Sequence, residues 1–291
     1  MQRMVRMQMK ITYAISNWIY GTEPLEEAFK RLKRYGYNAI ELMVEDPGSF
    51  PTRKVKALMD QHNLPCCSVC TKMPGAEGKD ARMNLIDENK DVRDRTMVYL
   101  KRSLEIGVEL NARLSLTVPS GVANTRDAWT RENKETMVQQ LGILGDHARE
   151  CGDIFLAIEP INRYENAFMR RGEQALELLE ELNHPSVKMM LDFFHTNIEE
   201  DNNGMAIRQA SNHLIHCHVA DSNRKSCGRG NTDWFEIMRA LKDIDFNGSL
   251  ACEPLPPTGA DVYESMKGTR PEADNYAREC IEYLRFIESV I

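Results

Sequence analysis

The chain has 291 residues, of which 42% are hydrophobic and 28% charged, and its net charge is −7. This composition is that of an ordinary globular protein, and the negative charge disfavours a nucleic-acid partner, because proteins that neutralise phosphates usually present a basic face. No stretch of 18 apolar residues occurs, so we expect no membrane span. The opening MQRMVRMQMK lacks the apolar core of a secretory signal, and we expect residues 1–9 to form a flexible extension.

Eight cysteines are present, and two of them, Cys217 and Cys252, fall inside apolar runs that predict strands. We interpret the cysteines as small buried side chains in a reducing compartment rather than as disulfide partners. The predicted location is therefore cytoplasmic.

Strand-like and helix-like patterns alternate along the whole chain. In its first half we predict strands at 10–16, 38–45, 64–71 and 112–121 (the last with its loop), and helices after Pro24 and at 51–63, 91–110 and 131–151. In its second half we predict strands at 154–158, 187–192, 214–220 and 249–253, and helices at 171–182, 203–211, 233–244 and 271–290. Eight such alternations favour a parallel (β/α)8 TIM barrel that spans residues 1–291 as one domain. An open doubly wound sheet is the alternative, but it would normally carry a G-x-G-x-x-G loop after the first strand, and SNWIYGTEP has none.

Each of the last four predicted strands ends in an acid or a histidine: Glu159, Asp192, His218 and Glu253. Barrel enzymes carry their active sites at this end of the strands. Three carboxylates and one imidazole favour a divalent metal ion, Mn²⁺ first and Co²⁺ or Mg²⁺ as alternatives. Such an ion could stabilise an enediolate, and Glu159 and Glu253, which flank the other two, would then serve as base and acid.

Three further polar residues follow these strands at short spacing. We expect Glu165, His195 and Arg224 to lie on the loops after strands five, six and seven and to bind the hydroxyl groups of a polyol substrate. His216 shares a strand face with His218 and is either a core histidine or a partner of the site. Glu41 is an inward-facing acid that could orient another group or pair with an arginine.

The segments EPINRYE, LDFFHTNIEE, HVADSNR with the following GRGNTDW, and CEPL resemble the D-tagatose 3-epimerase family of xylose isomerase-like barrels. This family includes ketose 3-epimerases that act on psicose and ribulose. The resemblance implies that Glu159, Asp192, His218 and Glu253 bind the metal. It also implies that Glu159 and Glu253 move the proton at C3 of a ketose through a cis-enediolate. By the same resemblance Glu165, His195 and Arg224 contact the sugar, and the enzyme is a homodimer or homotetramer.

Other activities stay open at this point. An aldose–ketose or hydroxypyruvate-type isomerase would use the same metal site, and its substrate could be phosphorylated. A DNA-repair endonuclease is disfavoured by seven histidines and the net charge of −7. A binding barrel without catalysis would not need the seven site residues. The loops at 72–89 and 119–130 depart from the family pattern, so the sugar is undetermined; Lys72, Arg82 and Arg126 are the residues that could meet a phosphate.

Overall fold

A computed structural model describes residues 9–76, 82–256 and 262–291. Residues 1–8 of the expected extension, and 77–81 of the loop at 72–89, lie outside the described residues. Met9 is partly buried and packs against the core.

Eight parallel strands make up the sheet in the described part of the chain. They are β1 Lys10–Ile15, β2 Ile40–Val44, β3 Cys66–Thr71, β4 Leu114–Thr117, β5 Phe155–Ile158, β6 Val187–Asp192, β7 Leu214–Val219 and β8 Asn247–Cys252. Consecutive strands from β2 to β8 pair in order, and β8 pairs with β1. An isolated parallel bridge between Ser16 and Glu41 joins the remaining edges, so the sheet is a nearly closed barrel. The prediction of a (β/α)8 TIM barrel is confirmed.

Helices cover the outside of this barrel. Those in the described residues are α1 Leu25–Tyr35, α2 Thr52–His62, α3 Lys90–Glu109, α4 Arg131–Gly152, α5 Gly172–Leu182, α6 Phe193–Glu199, α7 Asn203–Ala210, α8 Trp234–Asp243 and α9 Ala273–Val290. Short 3-10 segments lie at Asn17–Tyr20, Ser211–His213 and Val262–Met266. Strands β2, β3, β4 and β7 are buried at every position, as expected of a parallel sheet with helices outside and side chains filling the centre. None of the helices in the described ranges is long and apolar enough to cross a membrane.

One helix was not predicted. Helix α6 starts directly after β6, and the Asp192 carboxylate caps it by accepting a hydrogen bond from the Phe194 amide at 2.8 Å. An acid at this position satisfies one of the amides that a first helical turn leaves free. The expectation that His195 lies on a loop is therefore wrong, because His195 stands in the first turn of α6.

Candidate active site

The four predicted strand-end residues converge at the carboxyl end of the barrel. Asp192 is the last residue of β6, His218 lies one residue before the end of β7, and Glu159 and Glu253 directly follow β5 and β8. The pairing continues past the strand ends, since the Glu159 amide donates to the Thr117 carbonyl at 2.9 Å. All four side chains are buried, so their positions are fixed by the barrel backbone rather than by mobile loops.

The ring of His218 lies between the carboxylates. Its Nδ1 atom is 3.2 Å from Glu253 Oε2 and 3.9 Å from Glu159 Oε1. Ligand atoms of Glu159, Asp192 and His218 all lie within 4.8 Å of one another. This spacing lets a single cation contact several of these atoms.

On its other side, His218 is held by Glu41. Glu41 Oε1 is 2.8 Å from His218 Nε2, and Glu41 Oε2 is 2.9 Å from His216 Nε2. Ser68 Oγ donates to Glu41 Oε2 at 2.7 Å. Burial by itself would raise the pKa of Glu41, but the two imidazoles hold it well below the usual range. Glu41 thus stays ionised and pairs with histidines, not with an arginine, and His216 is a partner of the site rather than only a core residue.

Arg224 supplies positive charge from the loop after β7. Its guanidinium donates to Asp192 Oδ2 and Glu253 Oε2, and it lies 4.6 Å from the centre of the Phe194 ring. Although burial opposes ionisation of Asp192, the charge of Arg224 holds its pKa at about 2. In this structure Arg224 therefore acts as a counter-ion to two of the predicted metal ligands.

The loop that carries Arg224 is built around the carboxylate of Asp221, which is fully buried. Asp221 Oδ1 accepts from the amides of Ser222 and Thr232 at 2.8 and 3.1 Å. Its Oδ2 accepts from the Gly228 amide at 2.7 Å and from Trp234 Nε1 at 3.0 Å. These four bonds fold the loop back on itself and leave Arg224 with a left-handed backbone, at φ 60°.

The other two predicted substrate residues meet at Asn162. Asn162 Nδ2 lies 2.9 Å from Glu165 Oε1 and 2.7 Å from His195 Nδ1. His195 Nε2 is 3.6 Å from Asp192 Oδ2. The structure thus brings Glu165, His195 and Arg224 to the same four strand ends.

Two aromatic residues complete the site, and neither was foreseen. Trp18 Nε1 donates to Glu253 Oε1 at 2.7 Å. Trp18 also contacts Tyr263, with ring centres 6.3 Å apart, and the Tyr263 hydroxyl accepts from the Met73 amide at 2.8 Å. Both rings line the cavity above the barrel. Trp129, from the loop after β4, packs on Phe168.

The cavity above these residues has a volume of about 440 Å³, a size suited to a small molecule. Its polar side is formed by the predicted site residues Glu159, Glu165, His195, His218, Arg224 and Glu253. Its remaining surface is largely apolar, with aliphatic residues such as Leu116 and Val122 beside the aromatic rings.

The donor set fits a hard divalent cation. Three carboxylates and a histidine are present, and in the described structure the buried His218 Nδ1 makes no well-aligned hydrogen bond, although Glu253 Oε2 lies 3.2 Å away. Burial raises the pKa of Glu159 well above its usual range, and the nearby charges of Asp192 and Glu253 raise it further. Burial would lower the pKa of His218, yet the carboxylates of Glu253 and Glu41 hold it well above its usual range. Both shifts reflect the negative charge that the neighbouring carboxylates concentrate at this point, which a bound cation would offset.

The cations considered for a phosphate all have acidic partners. Lys72 Nζ lies 2.7 Å from Glu45 Oε1. Arg82 and Arg126 both contact Asp87, at 2.7 and 3.2 Å. None of the three lines the cavity among the residues that the structure describes.

Comparison with known proteins gives consistent matches. Residues 29–285 match the family model described as xylose isomerase-like TIM barrel. The chain is 32% identical over 223 residues to a D-psicose 3-epimerase from Ruminiclostridium cellulolyticum, which covers 72% of this chain and 75% of that protein. It is 25% identical over 258 residues to an L-ribulose 3-epimerase from Methylomonas sp., with 87% of each chain covered.

The fold has close counterparts among solved structures. A D-allulose 3-epimerase from Methylomonas sp., solved in complex with D-allulose, superposes with a TM-score of 0.85 at 22% identity, over 96% of this chain and 99% of that one. At this identity the likeness supports the barrel fold.

Proposed function

Because the chain belongs to the xylose isomerase-like TIM barrel family and is an isomerase, we propose that it is a metal-dependent ketose 3-epimerase. The reaction moves the proton at C3 through a cis-enediolate. One observation carries the proposal: two buried carboxylates, of Glu159 and Glu253, approach the same imidazole at the carboxyl end of the barrel, at 3.9 and 3.2 Å.

In this proposal a divalent ion is held by Glu159, Asp192, His218 and Glu253. Mn²⁺ is the expected ion, and Co²⁺ or Mg²⁺ are the alternatives, since the set is mostly oxygen with one imidazole. When bound, the ion supplies positive charge to the carbonyl oxygen of a ketose and to the neighbouring hydroxyl oxygen.

The chain's own residues then move the proton. One glutamate removes the C3 proton on one face of the sugar, and the other returns a proton on the opposite face, so the configuration at C3 inverts. Glu253 is oriented for this by the Trp18 indole at 2.7 Å.

The substrate proposed is an unphosphorylated ketose. Among the described residues that line the cavity there is no lysine, and the one guanidinium, of Arg224, is paired with Asp192 and Glu253. A phosphate would therefore add negative charge beside carboxylates without a free cation to meet it. Glu165, His195 and Arg224 are proposed to hold the hydroxyl groups of the neutral sugar.

Incubation of the Mn²⁺-loaded enzyme with free ketoses in D₂O tests this proposal. We expect deuterium to appear at C3 of at least one ketose, together with its C3 epimer, as followed by proton NMR. An aldose–ketose isomerase would instead place deuterium at C1 or C2 and form an aldose. If none of the ketoses gains deuterium at C3, the proposal is wrong.

Glu41→Gln is expected to weaken Mn²⁺ binding by about 10- to 100-fold, as loss of a partner behind a ligating histidine does. The reason is that Glu41 orients the His218 ring and keeps it basic. Titration calorimetry with Mn²⁺ measures the change. A matched control is Glu199→Gln, because Glu199 is also buried but pairs with Arg163, and its affinity for Mn²⁺ should equal that of the wild type. An affinity of Glu41→Gln within twofold of wild type would contradict the assigned role.

The homodimer or homotetramer and the cytoplasmic location remain predictions. Sedimentation of the purified protein would measure the first directly.

A further inference from the structure

The amide of Asn162 joins two of the proposed substrate residues. Its Nδ2 lies 2.9 Å from Glu165 Oε1 and 2.7 Å from His195 Nδ1, and the side chain is buried. We propose that Asn162 is a positioning residue that holds His195 in the tautomer with its hydrogen on Nε2, directed at the substrate. The role of that hydrogen in binding the substrate rests on the proposed function, whereas the tautomer itself does not depend on it.

The orientation of the Asn162 amide follows from its neighbours. Its Oδ1 accepts a hydrogen bond from the Tyr164 backbone N–H at 2.9 Å. Because this N–H can only donate, the atom that faces it must be the oxygen. A carboxylate can only accept, so one hydrogen of Nδ2 goes to Glu165. The second hydrogen of the same nitrogen is left for His195 Nδ1.

A neutral imidazole has one nitrogen that donates and one that accepts. Because Nδ1 accepts from Asn162, the ring hydrogen of His195 must be on Nε2. This nitrogen lies 3.6 Å from Asp192 Oδ2, and the His195 side chain lines the cavity. The Nε2 hydrogen is thus presented at the metal-ligand end of the cavity, where a sugar oxygen would accept it.

The arrangement also links Glu165 to His195. Glu165 Oε1 lies 3.9 Å from His195 Nδ1, too far for a hydrogen bond, so the amide of Asn162 connects them. Both residues are therefore held by one group that does not itself need to contact the sugar.

The test is nitrogen NMR of ¹⁵N-histidine-labelled, Mg²⁺-loaded protein, with the His195 signals assigned by their absence in His195→Asn. We expect the wild type to show an unprotonated Nδ1 and a protonated Nε2. In Asn162→Asp the new carboxylate can only accept, so Nδ1 should become protonated. In Asn162→Ala both tautomers should be populated, and kcat/KM should fall by about 10²-fold, as displacement of a substrate-positioning group does.

Asn166 provides a matched control in the same loop. It is buried as well, but its side chain bonds Ser120 Oγ and the backbone of Gly121, Phe168 and Met169. Asn166→Ala should lower the melting temperature and leave the His195 signals unchanged.

Two results would overturn the proposal: a protonated Nδ1 in the wild type, or unchanged His195 signals in both Asn162 variants. Because the signals are read without turnover, they are informative even if no ketose is epimerised, and loss of the proposed function would be seen separately in the D₂O experiment.

Discussion

Glu253→Gln and Glu159→Gln are each expected to lower kcat/KM for epimerisation by about 10⁴-fold, the upper range for loss of a general acid or base. A glutamine side chain has nearly the same shape but cannot accept and return a proton. Epimerisation needs both faces of the sugar, so the loss of either glutamate stops it. The rate is measured by NMR of the two epimers, with the bound metal determined by elemental analysis for each variant.

The two variants should differ in a second measurement. If the glutamates work on opposite faces, each variant that retains metal keeps the base for one epimer only. Glu159→Gln should then exchange the C3 proton of one epimer with D₂O, and Glu253→Gln that of the other. If both variants exchange the C3 proton of the same epimer, the assignment of the two glutamates to opposite faces is wrong.

Asp87→Asn serves as the control for both variants. Asp87 is a buried carboxylate, but it pairs with Arg82 and Arg126 and does not line the cavity. We expect it to lose some stability and to retain its turnover. A metal-loaded Glu253→Gln that keeps more than half of the wild-type turnover would exclude the proton-transfer role.

Removal of the metal with EDTA is expected to lower turnover by about 10³-fold or more, since several kcal/mol of charge stabilisation are lost. Addition of Mn²⁺ should restore it. We expect this because the ion is the proposed main source of the positive charge that offsets the charge developing on the ketose oxygen atoms. Full activity in a preparation shown by elemental analysis to be free of metal would rule out the metal-dependent mechanism.

The metal-free protein is nevertheless expected to stay folded. Arg224 already pairs with Asp192 and Glu253, and the ring nitrogens of His218 lie 2.8 Å from Glu41 and 3.2 Å from Glu253. Circular dichroism should therefore give the same spectrum with and without EDTA. The melting temperature should rise with the logarithm of the Mn²⁺ concentration, as it does for a ligand that binds only the folded state. Unfolding by EDTA alone would contradict this.

The barrel and its four strand-end residues could be predicted because their signals are local. Apolar runs of four to six residues alternate with segments that show helical periodicity, and a polar residue follows or ends each of the last four runs. Helix α6 is not evident from the sequence, since FFHTNIE is too short to show a period and its one start signal, the cap residue Asp192, is also a candidate metal ligand.

Contacts between residues that are far apart in the chain could not be predicted from the sequence. Trp18 and Glu253 are 235 positions apart, and Tyr263 and the Met73 amide are 190 apart. Glu41 was recognised as an inward acid, but its pairing with two histidines depends on the closure of the barrel between β1 and β2. The sequence contains these residues but not the register that brings them together.

Glu41 also has a consequence for protein engineering. It is an acid without solvent exposure, it forms the bridge with Ser16 at the barrel seam, and it pairs with two buried histidines. A leucine there would fill the interior and leave His218 and His216 without their shared carboxylate. Because loss of one partner of a buried ion pair is strongly destabilising, a screen by melting temperature would favour replacement of all three residues together, which would remove the proposed metal ligand His218.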